Sequence, residues 1–84
     1  MKSYKVIIQI EDEDGIVEIK RVQEYDKQTA TCSYGWHLGV TIGSSLISLR
    51  ESMVQSDFID IFKAIEVIIV DGIEDLDIKG KTNG

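Results

Sequence analysis

The sequence predicts an α+β fold: a small antiparallel sheet of four to five strands, drawn as two hairpins, packed against one helix in the order β-β-β-β-α-β. Three observations carry that expectation. Tyr4–Ile10 alternates, with Tyr4, Val6, Ile8 and Ile10 on one face and Lys5 and Gln9 on the other, the period of a half-buried strand. Trp36–Ile42 alternates more cleanly, setting Trp36, Leu38, Val40 and Ile42 against Gly35, His37, Gly39, Thr41 and Gly43. In Ser56–Gly72 two periods meet. Phe58, Ile61, Phe62 and Ile65 recur at helical spacing opposite Asp60, Lys63 and Glu66, and then Val67–Val70 forms a β-branched run closed by Asp71-Gly72. The first part reads as an amphipathic helix and the second as a strand buried on both faces.

Taken in order, Tyr4–Ile10 leads through the acidic turn Glu11–Gly15 into a second strand, Ile16–Tyr25. A four-residue loop at Asp12–Gly15 sets Ile10 opposite Val17 and Ile8 opposite Ile19, which gathers the apolar residues on one face. Val22 then falls out of phase, so a bulge near Lys20-Arg21 is expected. Asp26–Tyr34 reads as a connection with a short Thr-rich strand at Thr29–Ser33. Gly43-Ser44 has the composition of a type II′ turn. Pairing outward from it places Val40 opposite Ile47 and Leu38 opposite Leu49, so Trp36–Ser52 reads as the second hairpin. In the alternative, Ser48 caps a long helix through Ser48-x-x-Glu51, but Leu49 and Met53 then leave the apolar stripe of Phe58, Ile61 and Ile65.

Ser56 is suited to cap the helix, and Asp57 places a negative charge in its first turn. Ile73, Leu76 and Ile78 form an irregular edge strand or drape over the sheet. Residues 1–78 are expected to make one domain and Lys79–Gly84 a disordered tail. Gly35, Gly39 and Gly43 would cost a water-soluble helix about 3 kcal/mol relative to alanine, which favours the strand. On a strand they share one flat face that another backbone can approach closely.

Length and charge bound the function. A chain of 84 residues buries only about 60–65% of its unfolded surface, so its core is thin. Nine basic against fifteen acidic residues leave a net charge of −6, which speaks against direct nucleic-acid binding through phosphates. The same charge suits a soluble protein, a partner for a basic surface, or a mimic of nucleic-acid phosphates. Cys32 is the single cysteine and has no internal disulfide partner; with no signal-peptide pattern at the N-terminus, a cytoplasmic location is expected. The longest uncharged stretch, Gln28–Leu49, carries too many Ser, Thr, Gly and Gln residues to cross a bilayer. No membrane span is expected.

No catalytic, cofactor or metal site is expected. Cys32 and His37 lack the third group that would make them a nucleophile and base, and together they supply half of a structural zinc site. His37 is expected on the sheet surface opposite Arg50. Glu11-Asp12-Glu13-Asp14-Gly15 and Asp71–Asp77 lack the alternating ligands and distal Glu of a calcium loop, and read as solvated acidic turns. The segment that invites a partner is Tyr34-Gly35-Trp36-His37, because Tyr and Trp supply large contact area with few rotors. A Trp on an apolar strand face is more often core than interface, which favours Tyr34 and His37 as surface groups and leaves Trp36 open to either role. The expected contact set is Tyr34, Trp36, His37, Gly39 and Thr41, joined by the acidic tip Glu11, Asp12, Glu13 and Asp14.

The expected function is therefore a non-catalytic protein-binding module, of the accessory or inhibitory type found in phages and mobile elements, acting by occupying a partner's surface. The alternatives are a homo-oligomeric structural protein, dimeric through its edge strands, and an acidic nucleic-acid mimic.

Overall fold

The computed structural model describes the backbone of residues 1–83 and the side chains of residues 1–76. The chain divides into two units, Met1–Ser52 and Met53–Gly84. The first contains β1 (Lys2–Asp12), β2 (Gly15–Tyr25), α1 (Tyr34–Ile47) and a 3-10 turn over Ser48–Ser52. The second is a single helix, α2 (Gln55–Asn83). No helix among the described residues is long and apolar enough to cross a membrane.

β1 and β2 form one antiparallel pair that runs without interruption from Lys2↔Tyr25 to Asp12↔Gly15. The expected pairings Ile10↔Val17 and Ile8↔Ile19 are present. The turn is tighter than the four-residue loop: Glu13 and Asp14 connect the paired Asp12 and Gly15. Asp12 Oδ1 accepts from the Asp14 backbone N–H at 2.8 Å, and Gly15 has φ +141°, a conformation that side chains resist. The hairpin has an inner face of Tyr4, Val6, Ile8, Val17, Ile19, Arg21 and Tyr25, all at least half-buried. Val22 does not force a bulge. It stays in register on the exposed outer face, opposite Lys5.

The sheet therefore has two strands rather than four or five, and the order is β-β-α-α. Both strands of the expected second hairpin are helical instead. Trp36–Ile42, with the expected turn at Gly43-Ser44, lies inside α1, and the rest of that expected hairpin forms the end of α1 and the 3-10 turn. Thr29–Ser33 is not a strand; Asp26 organises the connection there, its carbonyl accepting from Thr29 and Ala30 and its Oδ1 from Gln28. Alternation misled at Trp36 because Gly, His and Thr fall between the apolar residues, so an i, i+2 pattern and an i, i+4 pattern select overlapping sets. Ser33 settles the choice. Its hydroxyl accepts from the Trp36 backbone N–H at 3.0 Å, capping α1.

Val67–Val70 is the second such case. The run lies in the interior of α2, and the expected strand, with the edge strand at Ile73 and Leu76, is replaced by continuous helix. The apolar stripe that begins with Phe58, Ile61, Phe62 and Ile65 continues through Ile68, Ile69 and Leu76 at the same spacing. That continuity outweighs the modest β preference of four β-branched residues. α2 also begins one residue before Ser56, with Phe58 N–H bonded to the Val54 carbonyl at 3.1 Å. Ser48 closes α1 instead of opening a long helix. The side chains of Ile78 and of the expected tail, Lys79–Gly84, lie outside the described residues.

Among the described residues, the buried apolar side chains are Tyr25 and Leu49. Leu49, only 1% exposed, is carried by the 3-10 turn that follows α1. Truncating it leaves a cavity in a core with little else to fill it. Leu49→Ala is expected to lower unfolding free energy by about 2–5 kcal/mol in urea titration, while Val22→Thr on the open face changes it by about 0.5 kcal/mol or less.

Candidate binding face of the first helix

α1 is set on the hairpin by a polar seam. Tyr34, His37, Leu38, Thr41, Ser45 and Ser48 recur at i, i+3, i+4 and i+7 spacing, and all are at least half-buried. The Tyr4 hydroxyl, reaching from β1, lies 2.6 Å from His37 Nδ1 and 2.6 Å from Thr41 Oγ1. Four rings cluster around this point. Tyr34 stands at 5.8 Å and 83° to Tyr4 and at 5.3 Å to Tyr25, and His37 at 5.6 Å and 5.5 Å to the same two tyrosines, the range of favourable edge and tilted contacts. Lys2 Nζ caps the cluster, 4.4 Å above the Tyr34 ring. Tyr25 completes the attachment by donating its hydroxyl to the Cys32 carbonyl at 2.8 Å.

Hydroxyls can be buried in this seam because the helix satisfies them itself. Thr41 Oγ1 donates to the His37 carbonyl at 3.2 Å, Ser45 Oγ to that of Thr41 at 2.7 Å, and Ser48 Oγ to that of Ser44 at 3.1 Å. Ser48 Oγ also accepts from an Arg21 terminal nitrogen at 2.9 Å. Arg21 Nε is buried without a hydrogen-bond partner.

With its polar side turned to the hairpin, α1 presents its apolar side outward. Trp36, Val40, Gly43 and Ile47 recur at i, i+4, i+7 and i+11 along that side, with Gly35 and Gly39 beside them. Trp36 is 70% exposed and Val40 55%. A side chain added at Gly39 or Gly43 would meet no atom within 4 Å. Ser33, Gly35, Trp36, Gly39 and Val40 line an open hollow of about 560 Å³ on this side. Its lining carries no formal charge.

The expected contact residues are thus divided among three places. Tyr34, His37 and Thr41 come together, but in the seam between α1 and the hairpin, not on a free sheet surface opposite Arg50. Trp36 and Gly39 lie on the opposite side of the helix, in solvent. The expected assignment of Trp36 to the core and of Tyr34 and His37 to the surface is therefore reversed, because a helical period replaces the strand period. Glu11, Asp12, Glu13 and Asp14 form the hairpin tip, about 26 Å along β1 from Tyr4 at the usual rise per residue. Tyr4 and Tyr25, which organise the seam, escaped the sequence reading as site residues. Their only signal was their place on the inner phase of two strands.

Cys32 is half-buried and shares a hollow of about 260 Å³ with His37, Tyr25 and Asp26. His37 Nδ1 is engaged by Tyr4 and not by the thiol. Among the described residues, no group of three His, Cys, Asp or Glu side chains is placed to hold a metal ion. Comparison of the chain with protein-family models, with curated proteins and with solved structures returned no match.

Two outcomes follow from the seam. Tyr4→Phe removes both side-chain hydrogen bonds at the joint and is expected to lower unfolding free energy by about 1–3 kcal/mol. The protons also fix a tautomer. With Thr41 donating to the His37 carbonyl, Tyr4 donates to Thr41 and Nδ1 carries the proton that reaches Tyr4; with Thr41 donating to Tyr4, Tyr4 donates to an Nδ1 that carries none. Nitrogen-15 NMR of neutral His37 is expected to show the Nδ1–H form; an Nε2–H signature would require the opposite donor order.

Proposed function

We propose that this chain is a small, acidic, non-catalytic protein-binding module that works in the cytoplasm and receives its partner on the outer side of α1. The observation that supports this reading is the uncharged stripe of Trp36, Val40, Gly43 and Ile47, with open space over Gly39 and Gly43. A large exposed Trp beside backbone bared by glycine is the combination found at energetic centres of interfaces, where an aromatic anchor sits next to a surface that can be approached closely. The partner is a protein that offers an apolar ridge to fill this hollow. Occupying that partner's surface is the means of action, as for an accessory or inhibitory protein. The lack of charge in the stripe favours an apolar interface over phosphate mimicry by the distant Glu11–Asp14 tip, so binding should change little with ionic strength.

Gly39 separates binding from folding. With no atom nearby, Gly39→Leu removes a helix-weakening glycine and should stabilise the free protein by up to about 1 kcal/mol. The same side chain fills the hollow. Affinity capture from native-host lysate is expected to lose its stoichiometric partner with Gly39→Leu and with Trp36→Ala, while both variants remain folded. Retention of that partner by the stabilised Gly39→Leu variant would remove α1 as the docking side.

A further inference from the structure

α2 carries a second apolar stripe, and its pattern specifies what covers it. Phe58, Phe62, Ile65, Ile69, Gly72 and Leu76 are spaced 4, 3, 4, 3 and 4 residues apart, the heptad spacing of a helix that packs along a matching helix. In that frame Phe62, Ile69 and Leu76 occupy position a, and Phe58, Ile65 and Gly72 position d. Ile61 and Ile68 at g, with Ile59 and Ile73 at e, widen the seam. The second unit is one helix and offers no other element on which to fold this stripe. Phe58 and Phe62 meet each other, ring centroids 4.8 Å apart, but beyond them Ile68 is 70% and Leu76 69% exposed. α2 is moreover rich in β-branched residues and has Gly72 in its middle, so its helical state depends on packing more than on intrinsic propensity.

We propose that α2 pairs in parallel and in register with the α2 of a second copy of this chain. Charge placement selects that occupant. Asp57, Asp60, Lys63, Asp71 and Glu74 fall at b, c and f, away from the seam, while Glu66 at e and Asp75 at g border it, Asp75 falling opposite position 80 of the second copy. In a parallel pair the g-to-e contacts set Ile61 against Glu66 of the second copy and Ile68 against Ile73 of the second copy. No two acidic side chains face each other at these contacts, although the helix is strongly acidic. The carboxylates at b, c and f thus face solvent in the pair, and the seam accepts a copy.

The test is sedimentation equilibrium of the full chain from micromolar to several hundred micromolar. The expected mass is twice the 9.4 kDa of one chain, and Ile69→Asp at position a is expected to halve it. Val67→Asp introduces the same charge two positions earlier, at f, and is expected to leave the mass unchanged, so general loss of folding is distinguished from loss of the seam. Gln55→Cys in a Cys32→Ser background is expected to cross-link two copies on oxidation, since parallel pairing brings the two helix starts together. A single-chain mass at all concentrations overturns the proposal, as does an oligomer that survives Ile69→Asp. Dissociation by Trp36→Ala would move self-association to α1 and overturn it equally.

Discussion

The attachment of α1 to the hairpin depends on the Tyr4 hydroxyl. One oxygen on β1 meets both His37 Nδ1 and Thr41 Oγ1 at 2.6 Å, so it fixes not only where the helix sits but how it is rotated about its axis. Two contacts one turn apart on a helix define a face. Once His37 and Thr41 point at β1, Leu38 and Ser45 must point inward as well, and Trp36, Val40 and Ile47 must point away. The four-ring cluster of Tyr4, Tyr25, Tyr34 and His37 reinforces the same rotation.

This reverses the usual economy of a surface helix. Ordinarily the apolar stripe is buried and the polar face is wet. Here the residues against the hairpin are Tyr, His, Thr and Ser with Leu38 as the aliphatic member, and the hydrophobic drive for docking is correspondingly modest. What compensates is satisfaction: the Thr41 and Ser45 hydroxyls that are buried each return a proton to the helix four residues earlier, so burial leaves no hydroxyl orphaned. The guanidinium of Arg21 is the imperfect point, with Nε buried and unpartnered. With Tyr25 and Leu49 as the buried apolar side chains among the described residues, the core is thin, as expected for the length. Orientation in this unit is set by polar geometry more than by apolar area.

The same reversal explains what could be read from the sequence. The first hairpin was legible because Tyr4, Val6, Ile8 and Ile10 alternate against Val17 and Ile19, and a single register satisfies both strands. Helix in the region after Ser56 was legible from Phe58, Ile61, Phe62 and Ile65. The character of Trp36–Ile42 was not, because burying an apolar stripe was the assumed purpose of the pattern. On α1 that stripe faces solvent, and the burying face is polar and resembles a loop in composition. Three glycines strengthened the error, since their cost to a helix is real; Ser33 and the tertiary contacts of Tyr34, His37 and Thr41 offset it. Val67–Val70 was misread for a simpler reason. A run of β-branched residues has the same local composition in a strand and in a helix whose apolar stripe is wide.

The two apolar stripes left open differ in a way that separates their roles. On α1 the stripe is neutral throughout and flattened by Gly39 and Gly43, so nothing in it discriminates by charge, and selectivity has to come from shape around Trp36. On α2 the stripe is flanked mainly by Ile59, Ile61, Ile68 and Ile73, with Glu66 and Asp75 as the acidic residues at its margins, and its positions are evenly spaced. A neutral, irregular surface suits a different protein whose contour fits it; an evenly repeated heptad surface suits a matching helix.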